Sequence, residues 1–413
     1  MRRVPSRIVT GVAQLVLSAI VAAAGAQQTP EMMALSRSEA VSIALTRGPR
    51  TAAARADTAV AFARLLAART LQNPTLSASY SKSTPNYHIT AELPFDLPGV
   101  RGNRIRAAEA DRLSAGYTYQ FTRAAIALDA DTTYTRALAA QAHSRLSRRG
   151  AADADSLLTM AIARRDAGDA SELDVQLARL FAGQQRNRFA ADSVTFVSTL
   201  LDLQAVIGLA YDRVAVVITD SLTKPPTEQL IAQAGTTLQV AAARAALTAA
   251  ELRSRVQRRS RFGSPSLMGG FETGDPSGSE PGVLPTFGIG IPLPILDRNR
   301  GAIAEADAER ERSRAELALA TVESATRIAQ ATRERQTALQ RMERDRQLVA
   351  TAERIAAMSL LAYREGAASL PSVLEAQRNA REVIAEYVDD LASVLNATAT
   401  LRVVTLTSAS APR

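Results

Sequence analysis

The stretch YREGAASLPSVLEAQ, residues 363–377, decides the fold because it repeats an earlier stretch, RRDAGDASELDVQLA, residues 164–178. The matching positions are Gly168, Ser171, Val175 and Ala178 in the earlier copy and Gly366, Ser369, Val373 and Ala376 in the later copy. A glycine permits the chain to reverse, and a serine shortly after it is a favoured helix cap. The sequence therefore predicts the same helix–turn–helix twice.

Two further pairs of stretches extend this internal repeat. NPTLSASYS (residues 73–81) resembles SPSLMGGFE (residues 264–272). AELPFDLPGVRGNRIRAAEAD (residues 91–111) resembles GIGIPLPILDRNRGAIAEAD (residues 288–307). The pairs follow the same order in each half, at offsets of 191 to 198 residues. Such an ordered series predicts a tandem duplication, in which each half folds into the same elements.

The duplication predicts an organisation into five segments. They are a signal sequence over residues 1–26, a first repeat over residues 27–210, a linker over residues 211–235, a second repeat over residues 236–406 and a disordered tail over residues 407–413. In each repeat we expect a helix, two short strands, a very long helix, a tip turn and a returning helix. The tip turns are predicted over residues 165–171 and 363–369.

The helical signals are strongest in the long segments. Ser36 and Glu39 form a capping-box pattern at the start of a helix predicted to run unbroken to about residue 72. The longest helices are predicted over residues 102–167 and 298–365, which contain no proline. About 66 helical residues span roughly 100 Å, which is wider than one globular core.

The last helix, predicted over residues 370–406, has a regular apolar seam. Its members are Val373, Gln377, Ala380, Ile384, Tyr387, Leu391, Val394, Thr398 and Leu401. Their steps alternate between four and three residues, which is the period of a left-handed coiled coil. An ordinary coiled-coil scaffold remains an alternative at this point.

Four short runs alternate apolar and polar residues, which is the pattern of strands with one apolar face. They lie at residues 74–82, 86–95, 265–273 and 284–293. Each is close to the roughly 9–11 residues that a tilted strand needs to cross a bilayer. The fold class is therefore mainly α with a small transmembrane β part, and surface hairpins are the alternative.

Four strands are too few to close a barrel, since about eight is the minimum in single-chain outer-membrane proteins. Unpaired backbone groups are not tolerated in lipid. Two or more copies of the chain must therefore share one barrel, and the sequence alone leaves their number open.

The N-terminus and the composition favour an exported protein. Three arginines precede an apolar stretch and the sequence AGA, which is the pattern of a cleaved signal sequence, with a membrane anchor as the alternative. The chain has no cysteine, so it forms no disulfide and no thiolate metal site. Its formal charge is +8, but the basic residues alternate with acidic ones, and we expect no binding to nucleic acid.

No catalytic or metal-binding pattern is present in the sequence. The two histidines, His88 and His143, have no carboxylate cluster at metal-ligand spacing, and we interpret both as surface residues. There is also no phosphate-binding loop and no nucleophile elbow. We therefore expect no enzyme activity, no cofactor and no metal site.

These features resemble the TolC family of outer-membrane efflux proteins. The resemblance rests on the duplicated halves, the NPTL and SPSL stretches that open a strand, the LPF and IPL stretches that close one, and the tip turns. It implies a tandem-duplicated α-barrel of coiled-coil helices and four β-strands per protomer, in a homotrimer with a 12-stranded barrel. It also implies outer-membrane lipid, a periplasmic adaptor and an inner-membrane transporter of the RND, ABC or MFS type as partners.

The resemblance further assigns roles at the tips. It implies that Tyr363 bonds Asp174 on the neighbouring hairpin and that Glu375 forms an acidic ring at the constriction, although plain surface charges are the alternative for the two carboxylates. The family's arginine two residues after the glycine is Ala368 here, and Arg364 or Arg165 is the candidate substitute. The residues expected to form the turns and to dock the adaptor are Gly168, Ser171, Val175, Gly366, Ser369 and Val373.

The leading functional hypothesis is a passive outer-membrane duct of a tripartite efflux pump that exports small molecules, either drugs or metal cations. A type I protein secretion duct and a periplasmic coiled-coil adaptor are the alternatives. The lining of the duct is generic, so the sequence does not choose among these substrates.

Overall fold

The protein is described by a computed structural model that covers residues 31–83, 85–209, 214–224, 235–274 and 282–408. The predicted signal sequence, residues 1–26, lies outside the described residues. The same holds for residues 409–413 of the predicted tail and for most of the predicted linker.

The described elements follow one another in the same order in both halves of the chain. The first half contains β1 (Glu31–Leu35), α1 (Arg37–Thr46), α2 (Pro49–Arg69), β2 (Thr75–Tyr80), β3 (Tyr87–Pro94), α3 (Val100–Asp166) and α4 (Glu172–Ile207). β4 (Val214–Ile218) follows. The second half contains α5 (Leu238–Arg259), a 3₁₀ turn (Ser260–Phe262), β5 (Ser266–Thr273), β6 (Leu284–Gly290), α6 (Arg300–Arg364) and α7 (Leu370–Val404).

The two longest helices set the dimensions of the molecule. α3 has 67 residues and α6 has 65, so each spans roughly 100 Å. Their observed bounds lie within two residues of the predicted ones. Since neither contains proline, nothing interrupts the backbone hydrogen bonds along this length.

α3 lies at the centre of the helical layer. In the half near the strands it packs between α2 and α5, and in the half near the tips it packs between α4 and α7. α6 packs against α5 and then against α7, so it forms one edge of the layer. α2 and α4 form the other edge.

The predicted seam of α7 is confirmed. None of its nine members is exposed, and Val373 and Val394 are fully buried. Buried Leu391 and Val394 pack with Met342 of α6, while buried Val388 packs with Ala139 of α3. The seven-residue period of α7 therefore marks the face of this helix that is buried against the long helices α3 and α6.

The first predicted helix is wrong in one respect, because it is two helices. α1 ends at Thr46 and α2 begins at Pro49, with Gly48 between them. Proline disfavours the helical conformation in the residue before it, and it lacks the N–H that a continuing helix requires. The predicted capping box at Ser36 and Glu39 is present.

Strands β2, β3, β5 and β6 form one antiparallel sheet in the order β2-β3-β5-β6. The register places nearly all apolar side chains on one face. That face comprises Leu76, Ala78, Tyr80, Tyr87, Ile89, Ala91, Leu93, Leu267, Gly269, Phe271, Thr273, Pro285, Phe287 and Ile289. The predicted alternation thus becomes a continuous apolar surface opposite a polar one.

The strands are shorter than predicted, with lengths of six to eight residues. β6 ends at Gly290 rather than residue 293, because Pro292 and Pro294 have no N–H to donate to a neighbour. Backbone hydrogen bonds from Phe95 N to Pro265 O (2.8 Å) and from Asn86 N to Gly274 O (3.2 Å) extend the pairing at both ends of β3.

The sequence did not predict the pairing of β1 with β4. These strands run parallel, and they cover a buried cluster that includes Leu35, Tyr134 and Leu203. The Tyr134 hydroxyl donates to Leu35 O at 2.9 Å, and Arg37 N donates to Asp220 Oδ2 at 2.7 Å. This small sheet fixes the start of the first half against the segment that follows α4.

The predicted disordered tail begins too early. Thr407 is only 2% exposed and forms a β-bridge with Thr237. Ser408 N also donates to Thr236 O at 3.0 Å. These residues are therefore ordered against the start of α5, because pairing there satisfies their backbone groups.

Candidate functional site

The two tip turns have the same backbone geometry. Gly168 and Gly366 adopt the left-handed conformation, with φ of 86° and 76°. At the first tip, Gly168 N donates to Arg165 O and Asp169 N donates to Arg164 O. At the second, Gly366 N donates to Tyr363 O and Ala367 N donates to Ala362 O. Each pair of bonds is a Schellman motif, which requires a positive φ at the glycine.

The first tip is held by its own side chains. Ser171 Oγ accepts from Asp174 N, and Asp174 Oδ2 accepts from Ser171 N at 3.1 Å, so a capping box starts α4. Arg165 donates to Glu172 and Asp166. The hydrogen bond from Gln176, followed by that from Arg165, lowers the pKa of Glu172. The turn of this tip is polar and exposed, and these hydrogen bonds and ion pairs join residues of the same hairpin.

The second tip lacks such a cap. Ser369 occupies the position before α7, but its side chain makes no capping hydrogen bond to the backbone. The prediction that Ser369 caps α7 is therefore wrong. The third helical residue there is Ser372, whose hydroxyl donates to Ser369 O at 2.7 Å and accepts from Ser369 Oγ at 3.4 Å, so no reciprocal bond to the Ser369 N–H completes a capping box.

Tyr363 is the principal buried side chain at the tips, with 3% exposure. It packs in a cluster with Val175, Phe181, Leu370 and Val373, which come from α4 and α7. In the described protomer its hydroxyl has no hydrogen-bond partner. Burial raises the pKa of Tyr363, Arg164 opposes this effect, and Asp174 adds to it.

The implied hydrogen bond between Tyr363 and Asp174 is not formed in this structure. The Asp174 carboxylate is occupied by Ser171 at the start of its own helix. Val175 and Val373, which were expected to form the tip and to dock an adaptor, are fully buried in the tip core of the protomer. Gly168, Gly366 and the two serines remain exposed.

Arg164 joins the two tips, and the sequence analysis missed this role. Its Nη1 donates to Tyr363 O at 2.6 Å, and its guanidinium lies 4.7 Å from the centre of the Tyr363 ring. This is a hydrogen bond combined with a cation–π contact. The carbonyl that accepts from Arg164 is the one that also closes the second Schellman motif.

The other predicted charged residues lie on the surface. Glu375 and Arg364 are exposed, and Arg364 forms no ion pair with any described residue. Arg165 is engaged within its own tip by Asp166 and Glu172. Neither arginine therefore replaces the family's closing salt link within one protomer.

Above the tips, Arg381 of α7 crosses to the first hairpin. Its guanidinium lies 5.6 Å from the Phe181 ring and 3.6 Å from Asp153 Oδ2, an ion pair that is too long for a hydrogen bond. Burial lowers the pKa of Arg381. Its side chain also lies close to Gly150, because a Cβ at that position would be only 2.8 Å from the Arg381 Nε. A buried cation with so few acceptors weakens the packing of the two hairpins.

A cleft of about 420 Å³ lies beside Arg381 between α3, α4 and α7. Its lining is charged and includes His143, Arg188, Arg381 and Glu386. His143 Nε2 lies 2.8 Å from Asp389 Oδ1, and His88 on the sheet lies 3.2 Å from Glu272 on the neighbouring strand. Among the described residues, no three histidine or acidic side chains converge in a way that could hold a metal ion.

A profile of the family described as outer membrane efflux protein matches residues 40–209 and 234–405, which is most of the chain. The chain therefore belongs to the outer membrane efflux protein family. A comparison with curated protein sequences gives no match.

Several solved structures share the fold. VceC, an outer membrane protein of Vibrio cholerae, is 18% identical with a TM-score of 0.75, over 90% of this chain and 96% of that one. The CmeC outer membrane channel of Campylobacter jejuni is 15% identical with a TM-score of 0.75, over 89% and 85%. The open state of the MtrE outer membrane channel of Neisseria gonorrhoeae is 17% identical with a TM-score of 0.73, over 89% and 88%.

Family membership defines the class of protein. The chain is an outer-membrane transport channel rather than an enzyme. The tips lie at the opposite end of the long helices from the sheet.

Proposed function

We propose that the protein is the passive exit duct of a tripartite efflux pump for small molecules, drugs or metal cations. It works as a homotrimer with a 12-stranded barrel, and a periplasmic adaptor and an inner-membrane transporter open its tips. The observation that carries the proposal is that the protomer has two open edges, one on each side of its sheet and of its helical layer, which another copy of the chain can cover.

In the sheet, β2 and β6 each pair on one side only. Unpaired backbone groups at a strand edge are not tolerated in lipid. A head-to-tail arrangement, in which β6 of one copy pairs with β2 of the next, removes both edges and closes a ring. Three copies supply the 12 strands that the resemblance to the TolC family implies.

The helical layer also has two open edges, formed by α2 and α4 on one side and by α6 on the other. Almost all large exposed apolar residues of the long helices lie on α2, α4 and α6, whereas α5 and α7 have none and α3 has only Leu113. They are Val60, Phe62 and Leu66 on α2, Leu173, Leu180, Val194, Val197 and Leu201 on α4, and Leu319, Val322, Leu348, Ile355, Met358 and Leu361 on α6. Exposed apolar patches of this size typically mark protein interfaces.

The residues on α4 favour a helical partner over lipid. α4 is long and apolar enough to cross a membrane by length and composition. However, Leu173, Leu180, Val194 and Leu201 recur at multiples of seven residues and form a narrow stripe. A stripe of this period fits the seam of a coiled coil, whereas a lipid-facing helix is apolar on a wider surface.

The tips are the proposed gate. Arg164 and Tyr363 hold the two hairpins of a protomer together, and just above them Arg381 is buried with two guanidinium nitrogens that have no hydrogen-bond partner among the described residues. When the tips open, contacts with water replace the contact between Arg164 and Tyr363, so the closed and open arrangements of the tips have similar free energies. An adaptor that binds one arrangement better than the other can therefore shift the equilibrium between them. Glu375 is exposed on α7, where three copies would form the proposed acidic ring.

The test is cell fractionation combined with heat-modifiability on gels. We expect the wild type in the outer membrane as an oligomer that dissociates only on heating. Val194→Asp on the α4 edge should abolish the oligomer, because it places a charge in the interface. The matched control is Leu113→Asp, which changes the exposed leucine of the central helix α3 and should leave the oligomer intact. A soluble periplasmic monomer, or equal behaviour of the two variants, would contradict the proposal.

A further inference from the structure

The junction between the sheet and the helices of the second repeat carries an exposed apolar surface. β6 is followed by Ile291, Leu293, Ile295 and Leu296, and Leu296 is fully exposed. Ile291 and Leu293 continue the spacing of Phe287 and Ile289 along the apolar face of β6. The apolar surface that faces lipid thus extends beyond the end of the strand.

Three exposed arginines flank this surface, in the segments before β5 and after β6. They are Arg261 before β5 and Arg298 and Arg300 at the start of α6. Among the described residues none of the three forms an ion pair, and the Arg261 guanidinium lies 4.6 Å from the Phe262 ring. A cation above an exposed aromatic ring keeps its charge available to an anion from outside.

A shallow cavity of about 370 Å³ lies beside this surface. Arg261 contributes a cation to its lining, Phe262, Pro292 and Leu293 contribute apolar groups, and Asn299, which stands between Arg298 and Arg300 in the sequence, lines it on the α6 side. Asp297 also lines it, but its Oδ1 already accepts from Asn299 N at 2.8 Å. The cavity lies between the residues before β5 and those after β6, which are neighbouring strands of one protomer.

The first repeat shows that this arrangement is specific to the second. Arg104 donates to both oxygens of Asp96, at 3.0 and 2.8 Å. Arg300 is its counterpart, but the residue eight positions earlier is Pro292 instead of an aspartate. The carboxylate that neutralises the arginine in one repeat is therefore absent from the other.

We propose that this junction is a binding site for the headgroups of anionic phospholipids, in the leaflet of the outer membrane that faces the periplasm. The site uses Arg261, Arg298 and Arg300 for the phosphate groups and the segment after β6 for the start of the acyl chains. Arginine suits this role because its planar guanidinium binds phosphate in a bidentate manner. Basic residues next to an apolar membrane surface attract anionic lipids in the same way.

The experiment is lipid retention by the full-length oligomer, measured by native mass spectrometry after delipidation and titration with phosphatidylglycerol or phosphatidylcholine of equal chain length. We expect the wild type to retain phosphatidylglycerol in preference to phosphatidylcholine. The triple variant Arg261→Gln/Arg298→Gln/Arg300→Gln should bind phosphatidylglycerol about tenfold or more weakly. The matched control is Arg333→Gln/Arg344→Gln/Arg354→Gln, which removes three exposed arginines of α6 at least about 50 Å away along the helix.

Each outcome decides for or against the site. Equal retention of phosphatidylglycerol and phosphatidylcholine by the wild type would contradict the proposal. This comparison needs no variant, so it still decides the question if the triple variant fails to assemble. An equal loss in the control variant would show that net charge alone is responsible and would also contradict it. Competition by inorganic phosphate at a concentration equal to that of the lipid would assign the site to a free anion instead. The readout is independent of conductance, so failure here leaves the proposed duct standing.

Discussion

The two tips have the same turn but different means of support. The first tip relies on a capping box at Ser171 and Asp174 and on the pairing of Arg165 with Glu172, all within its own hairpin. The second has no side-chain cap and buries Tyr363 against the first hairpin, where Arg164 binds it. Duplication therefore produced one turn that is held by its own side chains and one that is held by an arginine of the other hairpin, over a core that the two hairpins share. This dependence makes the second tip the part that can be released.

The largest effect should come from Tyr363→Ala. It removes a buried aromatic ring and leaves a cavity among Val175, Phe181 and Val373, which typically destabilises a protein by about 3–5 kcal/mol. Because this cluster joins the hairpins, we expect faster hydrogen exchange at both tips rather than at the second alone. Exchange limited to residues near 363 would show that the tips are independent.

Arg164→Ala should have the next largest effect. It removes the hydrogen bond to Tyr363 O and the cation–π contact, together about 1–3 kcal/mol of local stability. The matched control is Arg165→Ala, whose partners are exposed carboxylates that solvent screens, so its effect should be clearly smaller. Hydrogen exchange of the amides of the second tip measures both variants. Equal effects would remove Arg164 from its proposed role as the link.

A smaller difference should separate the two serines. Ser171→Ala removes a capping hydrogen bond and should destabilise the start of α4 by about 1 kcal/mol. Ser369→Ala removes no such bond and should change the start of α7 by much less. The measurement is the exchange rate of the first-turn amides of each helix. A larger loss at Ser369 than at Ser171 would contradict the observed asymmetry.

The smallest effect is predicted for Tyr363→Phe. The hydroxyl is buried without a hydrogen-bond partner in the protomer, so its removal should change stability by no more than about 0.5 kcal/mol. If the hydroxyl instead bonded Asp174, as the TolC resemblance implies, the loss would be larger and would disappear in an Asp174→Ala background. Thermal unfolding of the single and double variants distinguishes these cases.

Much of the fold could be predicted because long regular elements leave strong periodic signals. The bounds of α3 and α6, the seam of α7 and the apolar face of the sheet all follow from spacing. The break at Gly48–Pro49 carries a local signal, because proline disfavours a helical conformation in the residue before it, although one continuous helix was predicted. β1 was not predicted because five residues, EMMAL, have no alternation, and their partner β4 lies 183 residues away.

The site was harder to predict than the fold. The glycines and Ser171 carry local signals, and the absence of an acidic residue three positions after Ser369 already excluded a reciprocal capping box there. Arg164 carries no such signal, since its partner is 199 residues away and the next residue, Arg165, looks equivalent in the sequence. Only packing of the two hairpins distinguishes an arginine that faces Tyr363 from one that faces its own turn.

The proposed outer-membrane duct has tips that are held closed by the link between Arg164 and Tyr363. Single-channel conductance in planar bilayers tests this proposal most directly, with wild type, Arg164→Ala and Arg165→Ala compared under identical conditions. We expect discrete channels for all three proteins and a clearly larger conductance for Arg164→Ala alone. The absence of channels from a purified oligomer would contradict the duct, and equal conductance of the three proteins would contradict the gate.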